Sequence, residues 1–269
     1  VQETQPTKAS GAQNTSGENT PSQKGDVSSI TKPTIASQGA VLLNAADGSV
    51  LFSQNGETQY YPASITKLMT ALLVAENCNL DDTVTFSSTA TTNLESGAVS
   101  IGMTEGDTLS VRQCLYALLL KSANEVGNAL AEHVAGSNAA FAEKMNAKAA
   151  SLGCTNTHFA NPHGLHDENH YTTAHDMALI GSAVYQFDKF REVTQTLNYT
   201  IPPTNLVDES RTFQQNHKML WVGAHYSYDY CTGGKTGYTD QAKTTSPWAK
   251  ITFPSSYISD SPSSVPTPL

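Results

Sequence analysis

Apolar residues Ile65, Leu68, Met69, Leu72 and Leu73 recur at the i, i+3, i+4, i+7, i+8 spacing of a helix with a buried face. Pro62 disfavours helical backbone before it, so this helix is predicted to begin at about Ser64. Upstream, the apolar runs Ala40-Val41-Leu42-Leu43-Asn44 and Ser49-Val50-Leu51-Phe52 flank an Asp47-Gly48 turn signal, which predicts an antiparallel hairpin. Downstream, Asp82–Phe86 alternates and predicts a short strand. Val111, Leu115, Leu118 and Leu119 predict a helix over 110–120, stopping near Lys121-Ser122-Ala123-Asn124. A second helix is expected from Glu125 to Ala135, ahead of Gly136. A third is outlined by Phe141, Met145 and Leu152 and capped by Gly153. Another opens at Thr173-Ala174-His175-Asp176, a box-like start, with Met177, Ile180 and Val184 on one face. Tyr228–Thr232 then leads into a glycine-punctuated strand, Gly233-Gly234-Lys235-Thr236-Gly237-Tyr238-Thr239. Strands near both chain ends with helices between them make an α+β pattern without internal repeats.

The ends depart from this pattern. Residues 1–33 are rich in Thr, Ser, Gln, Asn and Gly, with no large apolar side chain before Ile30 except Val27 and the chain's first residue, and they read as a disordered polar tether. Residues 246–269 form a Ser/Pro-rich tail. These tails account for much of the low hydrophobic content of 38%. A formal net charge of −9 argues against non-specific nucleic-acid binding. No apolar run is long enough to span a bilayer, so membrane attachment is not visible. The chain opens Val1-Gln2-Glu3-Thr4, without an initiator Met or a signal-peptide pattern, and reads as a mature or trimmed product. Cys78, Cys114, Cys154 and Cys231 include no C-x-x-C pair; free thiols are expected, with one disulfide still allowed.

Ser64 and Lys67 lie one turn apart on one helix face, close enough for their side chains to meet. A serine hydroxyl is a poor nucleophile until a neighbour removes its proton. A lysine can do so if burial and the positive helix end lower its pKa. The unpartnered N–H groups of the first turn can hold a developing oxyanion. Alone, such a pair is ordinary N-cap and surface chemistry, Ser122-Ala123-Asn124 is a turn, and Lys235-Thr236-Gly237 is a loop with a solvated lysine. The ordered set Ser64-Ile65-Thr66-Lys67, Ser122-Ala123-Asn124, Lys235-Thr236-Gly237 is much more specific.

From about Ile35 to Gln241 the chain resembles a low-molecular-mass penicillin-binding protein of the D-alanyl-D-alanine carboxypeptidase type. Pro62–Lys67, Asn161-Pro162-His163-Gly164-Leu165 and Gly233–Asp240 carry the likeness beyond the three motifs. The resemblance implies a penicillin-binding protein/serine β-lactamase-like fold, an antiparallel sheet flanked by helices with an inserted helical subdomain, over residues 34–245. It implies that Ser64 attacks the bond between the last two D-alanines of a peptidoglycan stem peptide, that Lys67 is the base, and that Ser122 relays a proton to the leaving amine. Asn124 would bind the substrate amide and orient Lys67. Lys235 and Thr236 would hold the terminal carboxylate, and the N–H groups of Ser64 and Tyr238, with Gly237 allowing close approach, would form the oxyanion hole. Further implications are a peptidoglycan pentapeptide substrate, β-lactams as covalent inhibitors, no metal or organic cofactor, and an extracytoplasmic, wall-associated location.

His158, His163, His166, His170 and His175 invite zinc, but lack His-Glu-x-x-His spacing; a loop beside the cleft is expected instead. Tyr60 and Tyr61 are expected to pack beneath the nucleophile helix. Glu168-Asn169 stands near where a class A β-lactamase carries its deacylating glutamate but lacks that pattern, leaving a β-lactamase as a minor alternative. After Gln241 the family pattern of further strands and a long C-terminal helix is missing, so an incomplete sheet edge is expected. A non-catalytic, peptidoglycan-binding relative is the alternative from another class.

Overall fold

The computed structural model describes residues 33–92, 94–240 and 242. The chain divides into a unit Val1–Thr34 and a unit Ile35–Leu269. The expected tether, apart from Pro33, and the expected incomplete C-terminal strands and tail all lie outside the described residues.

The predicted hairpin is present as β1 (Ala40–Leu43) and β2 (Val50–Gln54), antiparallel, with an irregularity between Leu42 and Leu43. Gly48 takes a positive φ of 73° in its turn, a conformation glycine adopts without steric cost. Tyr60 makes an isolated antiparallel bridge to Thr172, while Tyr61 packs edge-on against His166. The Tyr60 backbone is thus tied to the 158–172 loop while its ring lies beside Gly39, and Tyr61 faces that loop through His166.

The Ser64 segment begins one turn differently from the sequence expectation. Ala63–Thr66 is a 3₁₀ turn, and the α-helix proper, α1, runs Lys67–Asn77. Periodicity predicts one buried face for α1, whereas every residue from Lys67 to Ala75 is buried. The reason is position: α1 sits at the centre of the domain, packed by α4 (Asn124–Ala135), α5 (Asn138–Ser151), α6 (Ala174–Val184) and α7 (Asp188–Gln195). Such all-round burial is the rule for a helix enclosed by others.

Strand β3 (Thr83–Thr85) pairs antiparallel with β4 (Thr108–Ser110), and the short α2 (Ser88–Thr92) lies between them in sequence. Ser110 opens α3 (Val111–Tyr116) through a complete capping box with Gln113. The helix then widens into a π-helical turn, Ala117–Lys121, and ends at Ser122 in left-handed backbone, φ 70°. α4 ends at Gly136 and α5 is followed by Gly153, both with positive φ as expected. Thr173 caps α6 by accepting from Asp176 N, but the reciprocal half of the predicted box is replaced. The Asp176 carboxylate instead accepts from Asn156 N and Thr157 Oγ1 at 2.9 and 2.7 Å.

Sequence periodicity misses α7 and the hairpin β5 (Asn198–Ile201)–β6 (Arg211–Gln214). Among the described residues the sheets are three separate two-stranded ladders, and the Lys235 segment, expected as a strand, joins none of them. Its glycines serve close approach instead. A Cβ on Gly233, which has φ 134°, would lie 2.4 Å from Thr194 Oγ1 of α7.

Candidate active site

The 3₁₀ turn explains how Ser64 meets Lys67. With three residues per turn, positions i and i+3 eclipse, and Lys67 Nζ lies 3.1 Å from Ser64 Oγ. Ala63, just before the serine, has φ 50°, a costly conformation for a non-glycine residue and one of only three such positions among the described residues. Ser122 is another. Ser64 itself is partly exposed, while Lys67 is fully enclosed.

Lys67 Nζ has two further partners, both far away in sequence: Asn124 Oδ1 at 2.8 Å and the carbonyl oxygen of His163 at 2.6 Å. Burial holds its pKa well below the usual lysine value. The charge of Lys235 pushes in the same direction, and Glu125 opposes both. A neutral amine has two N–H groups and one lone pair. When the amine is neutral, giving its N–H groups to Asn124 and His163 leaves the lone pair for the Ser64 hydroxyl, the arrangement a general base needs.

The loop from Ala160 to His170 clamps this turn. A Cβ on Gly164, φ 87°, would fall 1.9 Å from Ala63 O, so only glycine fits there. Thr70 Oγ1 donates to Pro162 O at 2.6 Å. His170 Nδ1 accepts from Ala160 N at 3.0 Å, so its Nε2 carries the proton and donates to Thr66 Oγ1 at 2.7 Å. His163 likewise accepts at Nδ1 from Leu165 N. Burial, reinforced for His163 by Lys67, pushes their pKa values down to about 3 for His163 and about 4 for His170. Both rings are neutral at pH 7 and act as hydrogen-bonding parts. The histidine-rich stretch is thus the expected loop beside the site. The only metal-like grouping among the described residues, Glu57, His175 and Asp176, contains an ordinary His175–Glu57 pair at 2.9 Å.

Ser122 Oγ is buried and has no hydrogen-bond partner among the described residues. Asn124 is buried at the start of α4. Lys235 is also buried, and its Nζ donates to Thr236 O at 2.5 Å; burial lowers its pKa to about 7. A Cβ on Gly237 would lie 3.0 Å from Ser64 N and 3.1 Å from Ile65 N, so this glycine brings its segment against the Ser64 turn. Tyr238 follows with an exposed ring whose hydroxyl donates to Asp240. The three motifs therefore meet around Ser64. The sequence motifs point to Ser64, Lys67, Ser122, Asn124, Lys235, Thr236, Gly237 and Tyr238 but not to the His163 carbonyl or the wedge at Gly164, whose signal is the Pro162-His163-Gly164 run.

Residues 26–246 match the protein-family model described as D-alanyl-D-alanine carboxypeptidase. The chain belongs to that family. It is 32% identical over 215 residues to the D-alanyl-D-alanine carboxypeptidase DacF of Bacillus subtilis, covering 77% of this chain and 52% of that protein. It is 34% identical over 229 residues to a D-alanyl-D-alanine carboxypeptidase of a Streptomyces species, covering 80% of this chain and 76% of the relative. The crystal structure of the Streptomyces K15 DD-transpeptidase superposes with a TM-score of 0.71 at 32% identity, over 80% of this chain and 84% of that one. The penicillin-binding α+β fold is thereby established for this D-alanyl-D-alanine carboxypeptidase family member. The chain spans about half the length of several of its curated relatives.

Proposed function

We propose that this chain is a serine D-alanyl-D-alanine carboxypeptidase that removes the terminal D-alanine from peptidoglycan stem peptides. The observation that carries the reading is the amine of Lys67, held by Asn124 Oδ1 and His163 O at 2.8 and 2.6 Å and facing Ser64 Oγ at 3.1 Å. Lys67 takes the hydroxyl proton as Ser64 Oγ adds to the scissile carbonyl. The oxyanion is received by N–H groups of the Ser64 turn and of Tyr238, which Gly237 brings close. One such donor typically contributes about 3 kcal/mol to the transition state. The proton that Lys67 took from Ser64 passes through the Ser122 hydroxyl, which has no hydrogen-bond partner among the described residues, to the D-alanine nitrogen as the C–N bond breaks, and water then attacks the acyl-enzyme.

Binding follows from the remaining groups. The second N–H of the Asn124 carboxamide is free for a substrate carbonyl, because Nδ2 uses one hydrogen on Val99 O. A substrate carboxylate displaces Thr236 O from the Lys235 ammonium and gains a charge-assisted bond, with the Thr236 hydroxyl beside it. The bicyclic β-lactams, which carry an acyl bond and a carboxylate in similar relation, acylate Ser64 and block it. The substrate sets the location as extracytoplasmic; no described helix is long and apolar enough to cross a membrane.

A fluorescent penicillin tests the reading. Covalent label on the wild-type chain that vanishes in Ser64→Ala, together with release of D-alanine from a pentapeptide, is the expected outcome. Folded wild-type protein that takes no label contradicts it.

A further inference from the structure

Asn124 is held in its pose from behind. Its backbone N–H and its Nδ2 both donate to Val99 O, at 2.9 and 3.0 Å, and this turns Oδ1 towards Lys67. Val99 lies in a stretch without a strand ladder, so something else must fix its carbonyl. That something is one carboxylate oxygen. Ser100 Oγ and Ile101 N both donate to Glu125 Oε1 at 2.6 Å, and Ser100 Oγ also accepts from Gly102 N at 2.9 Å.

Glu125 is 1% exposed, and its other oxygen has no hydrogen-bond partner among the described residues. Burying a half-satisfied carboxylate is unfavourable, and an apolar residue there would cost less. Its position is therefore better explained by what it holds. It sits in the first turn of α4, immediately after Asn124. We propose that Glu125 is a positioning residue for acylation: through the 99–101 segment it fixes the Asn124 carboxamide, and through that the direction of the Lys67 lone pair. This deepens the proposed function and rests on it.

The charge of Glu125 also reaches the amine. The titratable groups acting with Lys67 are Lys235, which drives its proton off, Glu125, which retains it, and the neutral rings of His163 and His170. Removing the Glu125 charge should therefore move the acidic limb of the acylation profile to lower pH.

The test is the second-order acylation rate with fluorescent penicillin as a function of pH, with melting curves, for wild type, Glu125→Ala, Glu125→Gln and Ser100→Ala. Loss of the anchor in Glu125→Ala is expected to slow acylation about 100-fold, as a displacement of about 1 Å can. Glu125→Gln keeps an acceptor for Ser100 and Ile101, so it should recover most of the rate yet show the shifted limb. Ser100→Ala, at an exposed position, removes one of two donors and should slow acylation by roughly a few-fold. Folded variants that match wild type in both rate and pH limb overturn the positioning role while leaving Ser64 as nucleophile. If Glu125→Ala does not fold, Ser100→Ala and Glu125→Gln decide by the same criterion. A wild-type chain that takes no label overturns both readings at once.

Discussion

The two sides of the site are held in different ways. On the nucleophile side, Lys67 is fixed by Asn124 and His163, residues 57 and 96 positions away in sequence. Around it, Gly164, Thr66, Thr70 and His170 tie the turn to the next loop. On the carboxylate side, Lys235 bonds the carbonyl of its own neighbour, Thr236, and the segment belongs to no ladder among the described residues. The first side is organised before substrate arrives. The second keeps its cation on a local partner that a substrate carboxylate can replace. Groups that must be aimed at reacting atoms gain from preorganisation, whereas a group that only recognises charge can exchange one acceptor for another.

The strongest way to break this contrast is at its centre. Ser64→Ala should lower acylation roughly 10⁵–10⁶-fold, to below detection in a labelling assay, with little change in melting temperature. Next in size is Gly164→Ala. The added methyl meets Ala63 O at 1.9 Å from a residue already at φ 87°, so the loop must move. A loss of about 3 kcal/mol or more is expected in denaturant titration, together with a loss of acylation. The corresponding change at Gly237, where the nearest atoms are Ser64 N at 3.0 Å and Ile65 N at 3.1 Å and φ is not positive, should cost less stability than Gly164→Ala.

The buried imidazoles give a third test, read in stability alone. His163 and His170 titrate at about 3 and about 4 when folded, against 6.5 as the ordinary value. Between those values the unfolded chain binds protons that the native chain refuses. Stability is therefore complete above pH 6.5 and falls on acidification, by up to about 1.4 kcal/mol per pH unit for each ring. His170→Asn should flatten the acid side of a melting-temperature profile; an unchanged slope would show that the ring is not held neutral. The smallest effect concerns Lys235. With its pKa at about 7, affinity for a carboxylate-bearing substrate should fall about tenfold per pH unit on the alkaline side, while an analogue without the carboxylate should show no such fall. A flat profile for both would remove Lys235 from substrate binding.

How far the sequence disclosed all this follows the same division. Elements with strong local signals are legible: the hairpin around Gly48, the start of α3 near Ser110, α4 up to Gly136 and α5 up to Gly153. α7 was not, because Asp188–Gln195 carries charge on most of its surface and buries only Phe190, Val193 and Thr194. The β5–β6 hairpin was also missed, since its connection is long and polar and lacks a tight-turn pair. At the site, Ser64, Lys67, Ser122, Asn124, Lys235, Thr236, Gly237 and Tyr238 are legible because each belongs to a short motif. What escaped were backbone atoms and supports, the His163 carbonyl, Val99 O and Glu125, whose importance depends on three-dimensional closure and not on residue type. The strand expected over Gly233–Thr239 joins no ladder among the described residues, but the close backbone approach that its glycines signal is present, Gly233 making room for Thr194 and Gly237 for Ser64.

The wide turn at Ala117–Lys121 has a consequence for how tolerant this chain is of length changes. A residue accommodated in such a turn advances everything after it by about 100° around the helix axis. Deleting any one of Leu118, Leu119 or Leu120 would remove a fully buried leucine and would also swing Ser122 away from its neighbours. Here the phase of a hydroxyl is set by counting residues, so one lost residue reaches the core and the chemistry together.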